Sequence, residues 1–194
     1  MKKNRIVLFF LAACLLVGCK ARKFDIQADM ETAGFRAAES VQVQSEALEQ
    51  PLTAEIKDGH FALSGKVNKS AFAKLNLLGG ISRQGYPFIL EPGHIVFTEK
   101  HAEGTPLNDS TTAFVISIQA LDAAMKDRPE DLVAAVNAKV KAYVQRHAKD
   151  PSSIYVILFA QRGLSKEELN ELIGLLSPEL QNEGAIRTIS QSLK

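Results

Sequence analysis

The sequence lacks a strong excess of charge of either sign. Its 23 Lys and Arg residues nearly balance its 22 Asp and Glu residues, so the formal net charge is +1. A protein that binds nucleic acid through the phosphates carries a concentrated basic surface, and the composition indicates none. We therefore expect no nucleic-acid partner.

A long apolar run is also missing from the start of the chain. Ile6–Val17 contains twelve mostly apolar residues, which would cover about 18 Å as a helix, whereas the hydrocarbon layer of a bilayer is roughly 30 Å thick. The run follows three positive charges and precedes Gly18. This arrangement is typical of a secretory signal peptide, so we expect residues 1–18 to be removed.

Cysteine is scarce, with only Cys14 and Cys19 in the whole chain. Leu16-Val17-Gly18-Cys19 resembles the bacterial lipobox, in which the cysteine sulfur receives diacylglycerol and the new terminal amine is acylated. The resemblance implies that Cys19 is the lipid-attachment residue. Each buried methylene contributes about 0.8 kcal/mol to attachment, so two or three acyl chains make a stable anchor. The alternative is a secreted protein that is cut elsewhere and has an incidental thiol.

Residues 19–23 then form a lipidated tether whose Lys20, Arg22 and Lys23 are basic. These side chains either stay solvated or touch anionic headgroups, a contact of about 1 kcal/mol each. Related lipoproteins on the cell surface often have acidic residues here, so the basic run favours an outer-membrane protein that faces the periplasm. Because Cys14 leaves with the signal peptide and Cys19 becomes a thioether, we expect neither a disulfide nor dithiol redox chemistry.

Residues 24–106 show the pattern of a β-rich domain. In the segment 60–67, Phe61, Leu63 and Val67 share one face, and polar or small residues share the other, as in a half-buried strand. Asp58-Gly59 before it is a hairpin turn signal. The predicted strands are 24–28, 40–46, 52–56, 60–67, 72–78, 86–90 and 95–98. Short strands at this spacing predict an antiparallel sandwich or barrel.

Residues 107–194 have the period of helices and predict a small array of four to five. One apolar stripe begins at Phe114 and a second at Leu132. Asp150-Pro151 suits the start of a third helix, and Ser165 with Glu168 forms a capping box for a fourth. Pro178 ends that helix, and a fifth follows. The predicted fold class is α+β, with the β-rich domain first.

Three short motifs and a fourth in the helical part have the order found in a known family. They are Asp58-Gly59-His60-Phe61 with Gly65, Phe88-Ile89-Leu90-Glu91-Pro92-Gly93, Gly104-Thr105-Pro106-Leu107-Asn108-Asp109, and Asp150-Pro151-Ser152-Ser153. Together they resemble a β-rich domain of unknown function, with its following helices, that precedes the thioredoxin-like domain of membrane-anchored thiol-disulfide oxidoreductase lipoproteins. The resemblance implies a fold, an anchor and a compartment. We expect no catalytic residue to carry over, because the Cys-x-x-Cys site of those relatives has no matching position here.

The candidate binding loop is Glu91-Pro92-Gly93-His94, with Tyr86 close to it in sequence. A carboxylate and an imidazole three residues apart suit metal binding or proton transfer, but a zinc site asks for three or four ligands. The simpler interpretation of Pro92-Gly93 is a β-turn, and the simpler interpretation of Tyr86 is a residue of the apolar core. We expect no metal and no other cofactor, and we expect the remaining histidines to be solvated or locally bonded.

These observations lead to three hypotheses about function. The first is a non-enzymatic, lipid-anchored module that binds an envelope protein or a small ligand. The second is an accessory protein that docks a separate thioredoxin-like oxidoreductase. The third, with the least support, is an enzyme that uses Glu91 and His94.

Overall fold

The computed structural model describes residues 21–80 and 85–193, so the predicted signal peptide and Cys19 lie outside the described residues. Eight strands come first in this part of the chain, and six helices follow. The strands are β1 Arg22–Asp29, β2 Ser40–Ser45, β3 Leu52–Glu55, β4 His60–Val67, β5 Ala71–Leu78, β6 Gly85–Leu90, β7 Gly93–Thr98 and β8 His101–Glu103. The first seven match the predicted strands within a few residues. Arg22 and Lys23, which were predicted to belong to the tether, are part of β1 and pair with β4.

The strands form two four-stranded sheets that pack as a sandwich. The first sheet has the order β4-β1-β7-β8 and the second has the order β3-β2-β5-β6. Among the described residues no strand pairs across the two sheets, so the sandwich alternative is confirmed over the barrel. The expectation of purely antiparallel pairing is wrong at one place, because β1 and β7 pair in parallel. Parallel neighbours need a long crossover, and here β2–β6 supply it.

The turn at Asp58-Gly59 is confirmed, but it does not join a long hairpin. Asp58 has φ 51° and Gly59 has φ 78°, and Lys57 and His60 exchange both backbone hydrogen bonds across the turn, at 2.8 and 2.9 Å. Beyond that bridge β3 pairs with β2, whereas β4 pairs with β1. The turn therefore carries the chain from one sheet to the other.

The sandwich interior is an apolar core built from alternating residues of both sheets. Phe24, Ile26, Val41, Leu75, Phe88 and Ile95 are each at most 1% exposed. Gly65 lies opposite Phe24 in the register of β4 and β1. A Cβ at Gly65 would stand 2.6 Å from the Phe24 ring, so the glycine makes room for the phenyl group.

The helices are α1 Pro106–Ala124, α2 Pro129–Arg146, α3 Ser152–Ala160, α4 Lys166–Leu175, α5 Pro178–Gln181 and α6 Gly184–Ser192. The predicted count of four to five helices is low by at least one, because Pro178 also begins the short helix α5. Proline suits the first position of a helix, where its missing N–H costs no hydrogen bond. The capping box of α4 is confirmed: the Glu168 N–H donates to Ser165 Oγ (3.2 Å) and the Ser165 N–H donates to Glu168 Oε2 (2.8 Å).

The helices enclose a second core that reaches onto the second sheet. Besides helical residues such as Val140, Ile154 and Ile186, this core contains Phe72 of β5 and Ile89 of β6. The outer face of the second sheet is therefore partly covered by the helices. In residues 21–80 and 85–193, no helix has the length and apolar character needed to cross a bilayer.

Candidate functional site

Glu91, the first residue of the predicted loop, caps helix α1. Its side chain is 5% exposed, and its Oε1 accepts hydrogen bonds from the N–H groups of Leu107 (2.8 Å) and Asn108 (3.1 Å). The first amides of a helix have no partner within the helix, and a carboxylate there also interacts favourably with the helix dipole. Glu91 thus joins the sandwich to the helices.

Asn108 completes the same joint from the helical side, and it is fully buried. Its Oδ1 accepts from the Ile89 N–H (2.9 Å), and its Nδ2 donates to the Ile89 carbonyl (2.7 Å) and to Thr105 Oγ1 (2.8 Å). β6 is an edge strand of the second sheet. The Asn108 amide therefore forms the two hydrogen bonds with the Ile89 backbone that a neighbouring strand would otherwise form. We call Glu91, Thr105 and Asn108 the joint.

Pro92 and Gly93 turn the chain from β6 of the second sheet into β7 of the first. The backbone bends at Pro92, and Gly93 has φ 128°, a conformation that favours glycine. A Cβ at Gly93 would stand 2.9 Å from Thr105 Cγ2. Both residues thus serve the change of direction beside the joint, as the turn interpretation predicts.

His94 lies on the outer face of the first sheet. It is opposite Asp25 in the parallel register of β1 and β7, and its Nδ1 is hydrogen-bonded to Asp25 Oδ2. The carboxylate of Glu91 and the imidazole of His94 are therefore engaged with different partners. The structure does not bring them together as an acid and base pair.

Tyr86 lies inside the sandwich core rather than in the loop. Its ring centroid is 4.3 Å from that of Phe35, and its buried hydroxyl has no hydrogen-bond partner among the described residues. Burial raises the pKa of the Tyr86 hydroxyl, and the positive charge of Arg36 opposes this in part. The five predicted loop residues thus divide among the core, the joint, the turn and the outer face.

Of the three histidines outside the loop, His60 and His147 are bonded locally, whereas the buried Nδ1 of His101 has no hydrogen-bond partner among the described residues. His60 Nε2 is 3.1 Å from Asp29 Oδ2, and its Nδ1 is 2.7 Å from the Asp58 carbonyl oxygen. His147 Nδ1 is 3.0 Å from Asp150 Oδ2. Within the described ranges, no group of three or more His, Cys, Asp or Glu side chains is arranged to hold a metal ion.

Sequence reasoning did not identify a depression at the end of β1, remote from the tether, that both apolar and charged side chains line. The residues that line it are the apolar Ala28, Ala54, Phe61, Ala62 and Val96 and the polar Gln27, Asp29, Glu55, Lys57 and His60. Asp29 ends β1 and His60 begins β4, and the two are opposite each other in the antiparallel register. Lys57 Nζ forms an ion pair with Glu55 Oε2 at 3.2 Å. We call this surface the distal depression.

The carboxylate of Asp29 is held in place from within its own loop. The Thr32 N–H donates to Asp29 Oδ1 at 2.7 Å. Hydrogen bonds from Thr32, with a smaller contribution from the charge of His60, lower the pKa of Asp29 below its usual value. The distal depression therefore presents a fixed negative group next to an imidazole, with the ion pair of Lys57 and Glu55 in the same lining.

Comparison of the chain with protein-family models, with curated proteins and with solved structures finds no match. The resemblance to the β-rich domain of oxidoreductase lipoproteins therefore stays a prediction. The two motifs that meet at the joint, around Glu91 and around Asn108, are motifs on which that resemblance depends. Their observed role is to hold the helices on the sandwich.

Proposed function

We propose that this protein is a lipoprotein of the bacterial envelope, anchored through Cys19 in the outer membrane and facing the periplasm. It acts as a non-enzymatic module that binds an envelope protein or a small ligand. The distal depression is the surface that would bind this partner or ligand. The observation that carries the proposal is the placement of the two ends of β1, one beside the tether and one at the depression.

The tether end of β1 supports the anchor. β1 begins at Arg22, three residues after Cys19, and three residues span at most about 11 Å of extended chain. The folded domain would therefore start at the membrane surface. Cleavage before Cys19 would remove no residue of a described strand.

The other end of β1 supports the binding surface. Strands rise about 3.3 Å per residue, so Asp29 lies about 23 Å along β1 from Arg22. A partner in the aqueous compartment would reach this end without meeting the bilayer. The side chains there offer the Asp29 carboxylate, the His60 imidazole and the ion pair of Lys57 with Glu55 beside apolar residues. This surface suits a partner that has both polar and apolar groups.

The joint counts against an enzyme that uses Glu91 together with His94. Glu91 is the carboxylate that the loop sequence offers for proton transfer, and its Oε1 accepts hydrogen bonds from two amides at the start of α1. His94 is bonded to Asp25 instead. The hypothesis of an enzyme that uses these two residues together therefore has no support in their geometry.

Site-specific photo-cross-linking in intact cells tests the binding surface. A photoreactive residue replaces Ala62, which lines the distal depression, and a matched probe replaces Glu130, an exposed residue of α2. We expect one dominant adduct from position 62, none from position 130, and loss of the adduct when His60→Ala is added. Equal adducts at both positions, or an adduct that His60→Ala leaves unchanged, would contradict the proposal.

The identity of the adduct separates the first two hypotheses. A Cys-x-x-Cys protein as the dominant adduct would favour the accessory role in thiol-disulfide exchange. An envelope protein without that motif, or a small ligand that competes with the adduct, would favour the general binding role.

A further inference from the structure

We infer that Lys23 and Lys66 bind the phosphate groups of anionic lipid headgroups and thereby fix the orientation of the anchored domain. This inference rests on the proposed lipid anchor at Cys19. It adds a specific contact between the folded domain and the membrane surface.

The register of β1 and β4 places these two lysines side by side. Lys23 and Lys66 are direct partners in the antiparallel pair, so their Cβ atoms lie about 5 Å apart. Both side chains are exposed on the outer face of the first sheet. Like charges directly opposite each other are unfavourable, and an anion between them would remove that cost.

The described part of the chain gives this lysine pair no partner of its own. None of the ion pairs within 4.0 Å among the described residues includes Lys23 or Lys66. Asp25, two residues along the same face, is hydrogen-bonded to His94. By contrast, Lys69, in the turn after β4, has acidic neighbours. Its positive charge contributes to lowering the pKa of Glu179 and opposes the rise in the pKa of Glu183.

The position of the pair on the chain identifies the anion. Lys23 lies four residues after Cys19, a distance of at most about 14 Å of extended chain, and Lys66 is its neighbour across the sheet. An anchor at Cys19 therefore keeps both ammonium groups within reach of the headgroup layer. Basic residues this close to an anionic bilayer are attracted to its surface.

The contact has a consequence for the distal depression. With Lys23 and Lys66 on the headgroups, the tether end of β1 faces the bilayer and Asp29 points away from it. The lysine pair would thus act as an orienting contact, while the acyl chains supply most of the attachment.

The test uses the lipidated protein reconstituted into two kinds of vesicle. One is phosphatidylcholine alone, and the other contains about one third phosphatidylglycerol as the anionic lipid. Because the acylated mature chain has no other free thiol, Ser64→Cys places a single fluorophore two residues from Lys66. Glu31→Cys places the same fluorophore beyond the distal end of β1. Quenching by a headgroup-attached nitroxide reports the distance of each label from the membrane surface.

We expect the label at position 64 to be quenched more in anionic than in neutral vesicles, and the label at position 31 to be quenched little in both. Each basic residue near an anionic surface strengthens the contact about fivefold. Lys23→Gln with Lys66→Gln should therefore shift the orientation equilibrium about 25-fold away from contact. Raising the salt from about 0.05 M to about 0.5 M should act in the same direction.

Two matched controls separate the lysine pair from the net charge. Lys23→Arg with Lys66→Arg should keep the quenching, and Lys74→Gln with Lys100→Gln, which removes two exposed lysines elsewhere, should leave it unchanged.

Equal quenching at position 64 in both vesicle types would overturn the inference. So would suppression of quenching by free inorganic phosphate at low salt, because the site would then prefer a soluble anion. Protein that does not float with vesicles of either kind would overturn the anchor as well, whereas flotation without charge-dependent quenching would overturn the orientation alone.

Discussion

Asn108 forms hydrogen bonds with the backbone N–H and carbonyl of Ile89, two groups that no strand in the described part of the chain pairs. It is fully buried and bonds both polar groups of Ile89, at 2.9 and 2.7 Å. A buried donor or acceptor without a partner costs about 1–3 kcal/mol. A single amide side chain therefore stabilises both the edge of the second sheet and the first turn of α1.

We expect Asn108→Ala to lower the free energy of unfolding by about 2–4 kcal/mol, because it leaves both groups of Ile89 buried and unpaired. Equilibrium denaturation in urea measures the change. The control Asn68→Ala lies in the exposed turn between β4 and β5, and its effect should stay within about 0.5 kcal/mol. Equal losses in the two variants would contradict the role assigned to Asn108.

The residues of the joint show what local sequence patterns can and cannot predict. The turn at Pro92-Gly93 was predictable, because proline and glycine set the backbone angles locally. The roles of Glu91 and Asn108 were not, because Glu91 bonds amides that lie 16 and 17 positions further along the chain. A buried carboxylate that caps a distant helix looks, in sequence, like a carboxylate in a loop.

At the scale of elements, a second glutamate links a sandwich loop to a helix start. Glu46, which follows β2, accepts a hydrogen bond from the Gly184 N–H at 2.8 Å. Its Oε1 is also 3.7 Å from Nη2 of Arg187 in α6. Glu183 lies next to Glu46. Burial, together with the negative charge of Glu46, raises the pKa of Glu183 above its usual value. Two acidic groups thus crowd the start of α6.

We expect Glu183→Gln to stabilise the protein at neutral pH. A carboxyl group whose pKa is raised on folding contributes stability below its unfolded pKa, and that contribution is lost as the pH rises through the folded pKa. The variant should therefore melt at a higher temperature than the parent at about pH 7, and the difference should vanish toward about pH 4. Thermal melts followed by circular dichroism measure both.

Glu179→Gln is the matched control on the neighbouring helix α5, and its effect should have the opposite sign. Hydrogen bonds from its own backbone N–H and from Ser177 lower the pKa of Glu179, so its stabilising contribution is present at neutral pH and lost on acidification. The control variant should melt lower than the parent at about pH 7. A lower melting temperature for both variants at that pH would contradict the crowding at α6.

Periodicity predicted most elements but not how the strands pair. Strands such as β4 and helices such as α4 were predictable, because alternation and the capping box are local signals. β8 is three residues long and α5 is four, which is too short for a period to show. The parallel pairing of β1 with β7 joins segments about 70 residues apart, so no local turn signal could indicate it.

At the scale of the whole molecule, the described residues form a sandwich and a helical array that share a boundary rather than meeting at a linker. Phe72 and Ile89 belong to strands and yet lie in the core of the helices. The joint and the contact of Glu46 with Gly184 add hydrogen bonds between the sandwich and the helical array. The sandwich class was predictable from the number and spacing of strands, whereas this shared core depends on which sheet face the helices cover.

The proposed orientation of β1, with the distal depression facing away from the membrane, depends on the proposed anchor. The mass of the intact protein purified from the membrane fraction tests the anchor directly. We expect a chain that begins at Cys19 and carries the added mass of a diacylglyceryl group and an amide-linked acyl chain, and a Cys19→Ala variant without that mass. An unmodified chain whose Cys19 thiol reacts with a maleimide would contradict the account.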